Sequence, residues 1–77
     1  MNLEELFLTQ AYTKHYYTLA CTGMKMHDKE FSTREQANEY MYNILKKKGL
    51  YIKDKWKDNH DVTYVCNNNV KFYIQRV

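Results

Sequence analysis

Apolar and polar positions along the chain change period several times, and each change marks an element. Asn2 with Glu5 three residues on reads as a capping pair, and Leu3, Leu6 and Phe7 recur at helical spacing, which predicts a short helix from residue 3 to about residue 10. From His15 to Thr22 the period falls to two. Tyr17, Leu19 and Cys21 lie on one side and Tyr16, Thr18 and Ala20 on the other, the pattern of a half-buried strand. Gly23 ends that strand, and residues 24–31 read as its return partner in a hairpin. His27, Asp28, Lys29 and Glu30 make this partner polar on both faces, which suits a sheet edge.

The next segment has the period of a helix. Ser32 is placed to cap it, with Glu35 reaching back to the Ser32 N–H, and Ala37, Tyr40, Met41, Ile44 and Leu45 form one apolar stripe. Gly49 stands where a left-handed residue ends a helix, with Leu50 after it to touch Leu45. Lys46, Lys47 and Lys48 complement the negative end of the helix dipole.

After Gly49 the period returns to two. Leu50, Ile52 and Trp56 fall on one face and Tyr51, Lys53, Lys55 and Lys57 on the other, so this strand is expected to bury its tryptophan and display a lysine ladder, the alternative being that Trp56, late in the strand and near the turn at residues 58–61, is an exposed binding anchor. Residues 58–61 have turn chemistry. Val62, Tyr64 and Cys66 then alternate with Thr63 and Val65, and Val70, Phe72 and Ile74 with Lys71, Tyr73 and Gln75, with Asn67, Asn68 and Asn69 between the two runs. A three-residue loop pairs Cys66 with Val70, Tyr64 with Phe72 and Val62 with Ile74 on one face, whereas a two-residue loop sets Cys66 against Lys71. The three-residue loop follows, with asparagine supplying the positive φ. The sum is a two-layer α+β fold: a short N-terminal helix, a β-hairpin, one long helix packed on one sheet face, and a three-stranded antiparallel meander.

The length of 77 residues allows one compact domain spanning the chain. With 44% hydrophobic and 27% charged residues, the chain is too apolar for a disordered tail and too polar for a membrane span. No proline and only two glycines leave little room for linkers. The opening residues 1–5 are acidic and lack a basic, apolar leader, so we expect a cytoplasmic location and reduced thiols at Cys21 and Cys66. Eight tyrosines, together with frequent Lys and Asn, are the product of AT-rich codons and point to a low-GC genome.

Candidate chemistry is sparse. Cys21 and His27, like His60 and Cys66, are six positions apart, longer than the spacing of paired structural zinc ligands, so neither a metal nor a cofactor is expected. Gly23 and Gly49 are too isolated to form a phosphate-cradling loop, and no nucleophile has an evident base, so an enzyme is not expected. A net charge of +3 is concentrated in residues 46–57, where six lysines meet only Asp54. Lysines on one strand face repeat at about 6.6 to 7 Å, close to the phosphate spacing of a nucleic-acid strand, and Tyr51 beside them is placed to stack on a base. Tyr12, Tyr16, Tyr42, Tyr51 and Tyr73 all fall on polar faces or loops, as contact tyrosines of protein interfaces do. The candidate contact residues are therefore Tyr42, Lys46, Lys47, Tyr51, Lys53, Lys55, Lys57 and Tyr73. A protein partner is the first expectation and nucleic acid the second; homo-oligomerisation through an edge strand is a third, and no membrane is expected.

The stretch Phe31-Ser32-Thr33-Arg34-Glu35-Gln36-Ala37 is similar to the strand-to-helix join of AP2-like and integrase arm-type DNA-binding domains. That resemblance implies a sheet laid on DNA by strand residues ahead of the helix; here Tyr16, Tyr17, Met24 and Lys25 precede the helix and the lysine ladder follows it. In size and type, down to the tail from Thr63 to Ile74, the chain looks like the small accessory proteins of phages and mobile elements, a class that includes anti-CRISPR proteins. This implies a non-enzymatic protein that occupies a surface of a host or phage macromolecule and inhibits a defence or host factor.

Overall fold

The computed structural model describes residues 16–77. The helix expected over residues 3 to 10, the start of the first strand at His15, and Tyr12 lie outside them. The described residues form β1 (Tyr17–Thr22), β2 (Lys29–Phe31), α1 (Arg34–Lys48), β3 (Ile52–Asp58), β4 (Asp61–Cys66) and β5 (Lys71–Arg76). All five strands join one antiparallel sheet in the order β2-β1-β5-β4-β3. The expected meander is thus not a sheet by itself. β5 pairs with β1 along its whole length, from Tyr17 with Arg76 to Thr22 with Lys71, so hairpin and meander fuse. The return strand is also shorter than expected, since only Lys29–Phe31 pairs with β1. Residues 24–28 make no ladder, consistent with their lack of alternation.

One face of the sheet carries the core. Leu19, Val62, Tyr64, Cys66, Phe72 and Ile74 meet Ala37, Met41 and Leu45 of α1, and Val70 closes the end; all are buried. Tyr40 and Ile44 complete the helix stripe as half-buried neighbours. The helix packs on β1, β2 and β5 and leaves the β3 side of the sheet uncovered.

The ends of α1 follow local chemistry. The N-cap is Thr33 rather than Ser32: its side chain accepts from the Gln36 N–H at 3.2 Å, and Gln36 Oε1 accepts from the Ser32 N–H at 3.1 Å. The cap thus falls one residue later than the expected Ser32 and Glu35 pair, because Thr33 with Gln36 has the same spacing, and the Gln36 side chain reaches the N–H of Ser32, the residue before the cap. Gly49 is left-handed at φ 67, and the Leu50 N–H donates to the Leu45 carbonyl at 2.8 Å, closing the expected Schellman turn.

The β4–β5 hairpin keeps the predicted register. Val62 pairs with Ile74 and Tyr64 with Phe72, the Cys66 N–H donates to the Val70 carbonyl at 2.8 Å, and Asn68 and Asn69 hold positive φ. At the same end of β5, Gly23 follows Thr22 with φ 84, and any Cβ there would meet the Asn69 carbonyl. Only glycine lets the two chain segments approach so closely.

Candidate functional site

The register of β3 decides which side chains face which way. Ile52 pairs with Cys66 on the core face, but Asp54, not Lys53, pairs with Val65. Lys53 is the extra residue of a bulge, and the alternation reverses beyond it. Cross-strand partners share a face, so Lys55 opposite Tyr64 and Lys57 opposite Val62 lie on the helix side, while Trp56 opposite Thr63 lies on the outer side.

The expectation that Trp56 is buried with Leu50 and Ile52 is therefore corrected. Leu50 and Ile52 pack against the core, whereas Trp56 is 53% exposed. The expected ladder also breaks up: Lys53 sits on the bulge, Lys55 and Lys57 turn toward the helix side, and Tyr51 precedes the strand. The Tyr51 N–H donates to Asn67 Oδ1 at 2.9 Å and the Tyr51 carbonyl accepts from the Asn67 N–H at 3.2 Å, while the Tyr51 side chain is exposed.

On the helix side Lys55 stands over Tyr64. The Tyr64 hydroxyl donates to Asn38 Oδ1 at 3.3 Å, and Lys55 Nζ lies 5.6 Å from the ring centroid. Burial, reinforced by the neighbouring Tyr42 hydroxyl and opposed by the Arg34 charge, pushes the Tyr64 phenol above its ordinary pKa. Tyr42 lies one helical turn beyond Asn38 and is half exposed, with exposed Lys46 a further turn along the same flank. Lys47 follows Ile44 on the opposite flank. Tyr42, Lys46, Lys55 and Lys57 thus border one side of the molecule.

The outer face carries a different group. Trp56, Thr63, Tyr73 and Ala20 form one row across four strands, and Asp54, Val65, Lys71 and Thr22 form the next. The indole N–H of Trp56 donates to Asp54 Oδ2 at 2.8 Å, and Lys71 Nζ stands 5.5 Å from the ring centroid. This bond, with the Lys55 N–H on Oδ1, holds the exposed Asp54 carboxyl below its ordinary pKa. The Tyr73 hydroxyl lies 3.4 Å from Thr22 Oγ1. Lys71 is a contact candidate that the sequence reading missed, Trp56 is the exposed anchor that it held only as the alternative to burial, and Asp54 held the clue. Strict alternation from Ile52 to Trp56 would bury that carboxylate with them.

Cys21 and Cys66 are free thiols, and burial raises the pKa of both. β5 separates their strands. Among the described residues, no group of three or more His, Cys, Asp or Glu side chains is placed to hold a metal ion, and no helix is long and apolar enough to cross a membrane. Comparisons with protein-family models, curated proteins and solved structures return no match, so the functional reading rests on these two surfaces.

Proposed function

We propose that this chain is a non-enzymatic interaction domain, a small cytoplasmic protein of phage or mobile-element type that covers a surface of a host or phage protein and inhibits it. The observation that carries this reading is the outer sheet face. An open face of an antiparallel sheet ordinarily ends in polar side chains. Here its rows bear Trp56, Tyr73, Val65 and Ala20, with the indole oriented by Asp54 and flanked by Lys71. Ringed by threonines and charges, a fixed exposed indole has the make-up of an interface anchor. Affinity capture from a nuclease-treated bacterial lysate, comparing wild type with Trp56→Ala, tests it. One protein retained by wild type and lost by a folded Trp56→Ala variant is expected; identical captures by the two overturn the reading.

A second reading, nucleic-acid binding, draws support from Lys55 and Lys57 beside Tyr42 and Lys46 on the helix side. Two or three phosphate contacts would give a log–log salt slope of roughly −2 to −3 in fluorescence anisotropy. A Lys55→Ser, Lys57→Ser double variant would flatten that slope. No binding at about 50 mM salt, where such contacts are strong, rejects this reading.

A further inference from the structure

A shallow, solvent-open recess of about 590 Å³ lies where α1 begins, on the helix side of the sheet and away from Trp56. Arg34 from the first turn, His60 from the β3–β4 turn and Arg76 from the end of β5 line it, with Tyr17, Thr33 and Glu35. Arg34 is held in place: its Nη2 donates to the His60 carbonyl at 3.1 Å and its guanidinium carbon lies 5.4 Å from the Tyr17 ring centroid. Its Nε is buried and has no acceptor. Neither guanidinium forms an ion pair among the described residues. Asp61, the nearby carboxylate, instead accepts the Arg76 backbone N–H at 3.2 Å. Glu35 is exposed at the rim and offsets one of the two positive charges.

The bonds of Arg34 to His60 and Tyr17 explain its position, but two guanidiniums brought from different elements into one recess without a carboxylate counter-ion repel each other. Their fork of N–H donors matches a tetrahedral oxyanion. The N–H groups of Arg34 and Glu35, at the first two positions of a 15-residue helix, have no intrahelical acceptor and add their positive end to the same recess. We infer that this recess binds a phosphate monoester, the two guanidiniums gripping the phosphoryl oxygens. A phosphate fills only part of the space, which leaves room for the group it esterifies.

The test is an amide-resolved NMR titration of the full chain with inorganic phosphate, against chloride at matched ionic strength. Saturable shifts confined to Arg34, Glu35 and the residues about His60 and Arg76 are expected, with the Trp56 indole signal unmoved. Arg76→Gln, whose guanidinium makes no bond in the fold, should weaken binding about tenfold, as the loss of a charge-assisted contact implies. A nucleoside 5′-monophosphate and a phosphoserine peptide separate the sources, since the true ligand class binds more tightly than free phosphate. Equal shifts with chloride, or phosphate binding unchanged in a folded Arg76→Gln variant, overturn the assignment. The Trp56 surface lies on the other face, so neither result bears on it.

Discussion

Trp56 and Asp54 act as a pair on the outer face, and each tests the other. The indole N–H lowers the Asp54 pKa, so the bond adds stability that is present above the ordinary aspartate value of about 3.9 and is lost as pH falls through the lower folded value. An NMR titration of the Asp54 carboxyl should therefore give a midpoint below that of a free aspartate, and Trp56→Phe should move it upward. Trp56→Ala should cost about 1 kcal/mol or less in urea unfolding, because a half-exposed side chain leaves no cavity behind it. Phe72→Ala, at a fully buried position beneath α1, should cost about 3 to 5 kcal/mol. The reverse order of these two costs would put Trp56 in the core.

At the level of elements, the bulge in β3 governs which side chains the partner meets. Deleting Lys53 joins Ile52 directly to Asp54 and leaves every later residue on its present face. A folded deletion variant with an unchanged Trp56 emission spectrum is expected; a blue-shifted spectrum would mean that the indole had turned inward and that Lys53 is not the extra residue. The two glycines differ in kind. Gly49 has open space around it, so Gly49→Ala meets only the strain of a left-handed backbone, about 1 to 2 kcal/mol. Gly23→Ala meets that strain and the Asn69 backbone as well, and should lower the unfolding midpoint further. Equal losses would remove the close approach of β1 to the β4–β5 loop.

For the whole molecule, a helix over part of one sheet face gives a small core and leaves two surfaces of unlike chemistry. Lys55 and Lys57 on the helix side and Trp56 on the outer side should therefore respond independently, the first to salt and the second to truncation. The sheet edges differ from a template for strand addition: β2 has three residues, and β3 is bulged and carries lysines. Light scattering near 100 μM should accordingly give a mass close to 9.4 kDa, and a dimer mass would bring edge pairing back.

What the sequence determined by itself was local. The helix stripe from Ala37 to Leu45, its Gly49 ending, the three-asparagine loop and the β4–β5 register follow from periods and turn residues that act over a few positions. Tertiary structure decided the rest. Pairing of β5 with β1 joins residues about fifty to sixty positions apart, and no local period encodes it. The face of Trp56 depended on one unpaired residue, because a period of two inverts every later side chain when a bulge intervenes. Asp54 carried that information in the sequence, but only as a conflict between a carboxylate and a buried face. The basic recess at the start of α1 had no sequence signal at all, since Arg34, His60 and Arg76 become neighbours only when the sheet closes beneath the helix.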